Sequence, residues 1–135
     1  MKKNRAGFTL VEILITIIIM VAIAGLAVPS YFKTMEEARS NEAKTNLNIM
    51  HMGEKLAFLA NGVYWGPGAT TIAAANTGLN TDMSATYYTT ISITQPTGTS
   101  YRARLTRNLV GGGNGVSWYQ YDYTNGDAAP VLTNG

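Results

Sequence analysis

Glu12 is the residue to explain first, because it is the only charged side chain between Arg5 and Lys33 in a largely apolar run. An ionised carboxylate inside an apolar helix long enough to cross a bilayer costs on the order of 3 kcal/mol, and residues that carry such a cost usually have a role. The chemistry open to it is charge pairing rather than catalysis. Glu12 follows Phe8 by four residues, one helical turn. If the chain were cut between Gly7 and Phe8, a new α-amine would appear at Phe8, and both that amine and the positive end of the helix dipole would favour the carboxylate. The amine of an adjacent copy would serve equally well, and would make Glu12 a polymerisation contact. The competing reading is that Glu12, near the helix start, only snorkels to the interface.

Elsewhere the inventory is thin. There is no Cys, one His, and Asp only at 82, 122 and 127. That leaves no triad, no metal-hydrolase motif, no phosphate loop and no thiol chemistry, so an enzyme is not expected. His51 falls in a polar helical stripe and reads as solvated surface, while Met50 and Met52 read as packing. Asp122, Asn125 and Asp127 offer oxygens to a Ca²⁺, but the segment lacks the glycine and ligand spacing of a defined calcium loop, and turn chemistry is the favoured reading. Arg102, Arg104 and Arg107, with tyrosines on the next candidate strand, suggest a small nucleic-acid patch. Three arginines without a larger basic field fit a solvated sheet face better, so no nucleic-acid partner is expected.

The elements that position these residues begin with the run Ile13 to Val28, in which Thr16 is the only polar residue. At about 1.5 Å per residue, Phe8 to Val28 covers roughly 30 Å, the thickness of a bilayer's hydrocarbon core. Lys2, Lys3 and Arg5 precede it, and the far flank turns acidic at Glu36 and Glu37. The positive-inside rule puts the N-terminus in the cytoplasm and everything after Tyr31 outside. Ala22-Ile23-Ala24 fits a signal-peptidase site, yet the apolar stretch is too long for a secretory signal and a glutamate is a poor occupant of its core. Pro29 inside the helix predicts a bend between Gly25 and Pro29.

Residues 31–60 continue the helix and become amphipathic. Ala43, Leu47, Met50 and Ala57, with Ile49 and Leu56 beside them, oppose a stripe of Glu37, Asn41, Lys44, Asn48, His51 and Lys55. Residues 61–86 read as a loop with one short turn near Ala73 to Ala75. Three strands are expected in 87–135. These are Tyr87 to Thr94, ended by Pro96-Thr97-Gly98; the alternation around Tyr101, Ala103 and Leu105; and Val116 to Tyr123, with Tyr119, Tyr121 and Tyr123 on one face. Short links make them an antiparallel meander laid on the helix stripe, followed by a turn-rich C-terminal loop. The fold class is α+β. The net charge of +2 and pI near 8.9 owe much to the first residues: without Lys2, Lys3 and Arg5 the ten cations become seven against eight acids.

Lys2-Lys3, then Gly7-Phe8-Thr9-Leu10-Val11-Glu12, then an apolar helix with Pro29 near its end together resemble the class III signal of type IV pilins and type II secretion pseudopilins. The likeness covers about the first thirty residues; beyond them only the layout of long helix and small sheet is similar. The resemblance implies that residues 1–7 are a leader removed by a membrane prepilin peptidase and that the new Phe8 is N-methylated. It further implies that Glu12 meets the N-terminus of a neighbouring subunit in a helical homo-oligomeric filament, built from the bacterial inner membrane by an assembly platform. The helix ahead of Pro29 is expected to melt locally in the filament. The alternatives are a major pseudopilin of a type II secretion system, whose C-terminal region holds calcium, a DNA-uptake pilin, and a monomeric single-pass periplasmic binding module. Many type IV pilins close a C-terminal loop with a disulfide, which this chain lacks.

Overall fold

The computed structural model describes residues 7–66, 70–107 and 118–135, with the side chains of 95–97 excepted. It divides into two compact units, one ending at Glu37 and one running from Ala38 to Gly135.

Helix α1, Leu10–Asn61, passes through both Gly25 and Pro29 without interruption. Pro29 removes one backbone hydrogen bond but does not end the helix. In the first unit the large apolar side chains from Phe8 to Phe32 are all half exposed or more. Among the described residues nothing in that unit covers them. Thr16, the lone polar residue of the run, donates its hydroxyl to the Glu12 carbonyl at 2.5 Å. It therefore brings no unsatisfied hydroxyl into an apolar surrounding.

In the second unit the rest of α1 turns one face inward, and Ala43, Leu47 and Met50 are fully buried as the spacing predicted. Asn46, Gly53 and Glu54 are buried on the same face. The stripe is narrower in apolar residues than expected: Leu56 is 66% exposed and Met52, read as packing, is 68% exposed. The helix stops at Gly62, whose φ of +74° suits glycine and whose N–H bonds the Phe58 carbonyl at 2.7 Å.

The link to the sheet holds more than the single turn expected. Helix α2, Ile72–Leu79, is capped by Thr71, whose side chain accepts from Ala74 N–H, and ends at Asn80 in the left-handed region at φ 51°. Ile72, Ala75 and Leu79 are its buried side.

Four antiparallel strands follow, β1 (Tyr88–Thr97), β2 (Ser100–Arg107), β3 (Trp118–Thr124) and β4 (Val131–Asn134), in the order β1-β2-β3-β4. The meander is as predicted, with two corrections. Pro96 does not break β1, which runs on to Thr97 with a register shift after Thr94. As an outer strand of the order, β1 accommodates a residue without an N–H. The tail expected to be a loop supplies β4, pairing Tyr121 with Leu132 and Tyr119 with Asn134. All four β4 residues are exposed, so no alternation marks them in the sequence. The predicted start of the third strand at Val116 lies outside the described residues.

Ile91, Ile93, Tyr101, Ala103, Leu105, Tyr119, Tyr121 and Tyr123 form one buried face of the sheet, and with Ala43, Leu47 and Met50 of α1 they make a single core. The inward period-2 face of the strands thus meets the helical stripe.

Candidate functional site

The N-terminal candidates sit at the free end of α1. Gly7 and Phe8 are exposed and non-helical, and no heavy atom lies within 4 Å of where a Cβ on Gly7 would be. The Gly7–Phe8 peptide is therefore open to approach from solvent. Glu12 is engaged in a way the sequence reading overlooked. Its Oε2 accepts from Thr9 N–H at 3.1 Å and from the Thr9 hydroxyl at 3.2 Å, while Glu12 N–H donates to Thr9 Oγ1 at 3.2 Å. Thr9-x-x-Glu12 is a capping box, which satisfies two N–H groups that a helix start leaves free. The signal was present as a Thr three residues before a Glu at the head of an apolar run. Glu12 is thereby held at the first turn, the end where the dipole favours an anion and where an amine at position 8 would arrive.

The arginine and tyrosine candidates separate. Arg102 Nε lies 2.5 Å from Asp122 Oδ1, and Arg104 Nε donates to Gln120 Oε1 at 2.9 Å with its guanidinium 4.6 Å above the Trp118 ring. Arg107 ends β2, half-buried. Tyr119, Tyr121 and Tyr123 point to the opposite, buried face, so they offer no stacking platform beside these cations. The calcium candidates are also spoken for. Asp122 takes Arg102 and, at 2.7 Å, the Gln120 amide, while Asp127 Oδ2 accepts Thr124 N–H at 2.9 Å and closes a turn. Among the described residues no three acidic or His side chains gather as metal ligands.

His51 is a correction. Rather than solvated, it is half-buried, with Nδ1 2.5 Å from the Tyr101 hydroxyl and its ring 4.8 Å from that of Tyr123. Burial, with Lys55 nearby, lowers its pKa from 6.5, so neutral imidazole bonds the tyrosine. Its neighbours on α1 act similarly. Ser40 and Asn48 accept the hydroxyls of Tyr119 and Tyr121 at 2.8 and 2.7 Å. Glu42 Oε1 gathers the N–H groups of Thr86, Tyr87 and Tyr88 at 3.1, 2.9 and 3.4 Å. The helix fixes the sheet through polar side chains at the rim of the apolar stripe.

Comparison with known proteins bears on the N-terminal segment. Residues 2–28 match the model of the prokaryotic N-terminal methylation motif. Over 56 residues the chain is 38% identical to the type IV major pilin protein PilA of Myxococcus xanthus, a stretch covering 42% of this chain and 25% of that pilin. The match therefore spans about a quarter of the relative's length. No solved structure matches. The chain is type IV pilin-like and carries the prepilin motif.

Proposed function

We propose that this pilin-like chain is a structural subunit of a type IV pilus or pilus-like filament, cut between Gly7 and Phe8, methylated on Phe8, and polymerised through α1. The observation that carries the reading is the first half of α1, an apolar helix whose large side chains are all half exposed or more and whose one carboxylate is held at its N-terminal turn. A bilayer satisfies such a helix before assembly, and copies of the same helix satisfy it afterwards. The prepilin motif on residues 2–28 supports the processing step. Prepilin peptidase, an inner-membrane assembly platform and further copies of the chain are its partners, and the route is from the inner membrane to an extracytoplasmic fibre.

A second feature favours helix-to-helix assembly. Met52, Leu56 and Leu59, with Val63 just past the helix end, recur at three- and four-residue spacing as exposed apolar residues, while the neighbouring Ile49 is half-buried against the core. Met52, Leu56, Leu59 and Val63 are 68, 66, 81 and 49% exposed. That spacing presents a seam for side chains of another helix to interlock with. The lack of Cys favours one second reading, a major pseudopilin of a secretion system.

The test is a pair of variants in the native host. Glu12→Ala removes the capping box and the charge; Glu12→Gln keeps a box-competent side chain and removes only the charge. Both are expected to insert in the membrane and to be processed, and neither to form filaments. Normal fibres from Glu12→Gln would show that charge pairing with a neighbour's amine is not what assembles the fibre, leaving Glu12 a cap.

A further inference from the structure

Glu54 has no place in that assembly scheme, and its surroundings are unusual. It is fully buried on the core side of α1. Oε2 accepts Trp65 N–H at 2.8 Å, and Oε1 has no hydrogen-bond partner. A buried carboxylate with one oxygen bare is costly when ionised, and native chains seldom keep one without a use. The bond it makes closes the segment after Gly62 back onto α1, eleven residues along the chain. Trp65 in turn lies hard against α2: a Cβ added to Gly78 would be 2.0 Å from the indole. Beside Glu54, Gly53 lets the end of α2 approach so closely that a Cβ there would sit 2.8 Å from Thr81 Cγ2 and 3.0 Å from Leu79 Cβ. One carboxyl thus holds the helix exit, Trp65 and, through Trp65, α2.

We propose that Glu54 is a pH-sensitive latch: protonated, it keeps the helix exit and α2 closed on α1, and ionised, it releases them. Burial raises its pKa from 4.5 to about 7, and the Trp65 N–H, which favours the charged form, offsets only part of that. The folded unit prefers the protonated acid. The latch therefore holds fully below about pH 4.5, the unfolded value, and is lost as pH rises through about 7.

The other titratable groups around it are His51 and Lys55 on α1, Tyr64 on the exit, Tyr101 on β2 and Tyr123 on β3, while α2 contributes none. Burial pushes Tyr64 and Tyr101 upward, away from neutrality. His51 moves downward and so has the opposite sign: its protonation in acid weakens the folded unit. The two groups are separable by substitution.

Trp65 reports the latch directly. In the full chain in detergent micelles, with Trp118→Phe so that Trp65 is the single tryptophan, emission is followed from about pH 5 to about 8, the range in which His and raised carboxyls titrate. A red shift with a midpoint near 7 is expected, retained when His51→Gln is added and abolished when Glu54→Gln is added. A shift that survives Glu54→Gln, or vanishes with His51→Gln, overturns the proposal. Should Glu54→Gln fail to fold, the Trp118→Phe titration still decides, because emission that stays flat across the range overturns it too. Filament formation is not read, so failure here is distinct from failure of the assembly proposal.

Discussion

Asn46 is 1% exposed in the middle of an apolar helical face, and its amide bonds both the Ser84 carbonyl, at 2.6 Å, and the Ser84 N–H, at 3.0 Å. It serves the loop as a neighbouring strand would, pairing one donor and one acceptor of a backbone that has no ladder there. Replacement by Ala removes both hydrogen bonds at this part-buried site, each worth about 1–2 kcal/mol. Asn46→Ala is therefore expected to lower the unfolding free energy of the full chain by roughly 2–4 kcal/mol, read from urea titrations followed by near-UV circular dichroism. A change under about 0.5 kcal/mol, the range of neutral surface substitutions, would show that water replaces the amide without loss.

Periodicity in the sequence sorts residues by polarity, and it placed Ala43, Leu47 and Met50 inside correctly. It has no means of finding a polar residue inside because a distant loop needs its hydrogen bonds. Asn46, Glu54 and the half-buried His51 were invisible for that reason, whereas the Thr9–Glu12 box was legible from local spacing and was overlooked.

At the scale of elements, α1 presents two faces with different duties. Leu47, wholly buried, belongs to the domain core, and its loss to Ala costs the 2–5 kcal/mol usual for a large-to-small core change, about an order above surface effects. Leu56 and Leu59 are exposed in the single chain. Leu56→Glu and Leu59→Glu are expected to leave the thermal midpoint of the detergent-solubilised subunit within a few degrees while abolishing filaments in the host, because each puts a charge into a helix seam that needs none. Fibres of normal length and number from both variants would remove the seam from the assembly surface.

The strands β1 to β3 were readable because each alternates against a buried face and carries β-branched or aromatic residues. Helix α2 was seen only as a turn, because Ile72–Leu79 is short and rich in Ala, Asn, Thr and Gly. Strand β4 carries no buried side chain and is defined by backbone pairing alone.

For the molecule as a whole, sequence and structure agree on a division of labour along one helix. Its first half is apolar on every side and capped by the Thr9–Glu12 box; its second half supplies a face of the domain core and polar side chains that hold the sheet. The N-terminal motif matched over residues 2–28 was recognisable because a basic head, Gly-Phe and a lone carboxylate are a combination with few physical excuses. The surface chemistry of the sheet was less so, since which face each arginine or tyrosine takes follows from register, and register places Arg102 opposite Asp122 and Tyr101 opposite Tyr123.

Intact-mass analysis of fibres sheared from the native host tests the central claim most directly. The expected mass is that of this chain beginning at Phe8 with one added methyl group. A chain recovered only from the membrane fraction, with its N-terminus at Met1 or after Ala24, would contradict it.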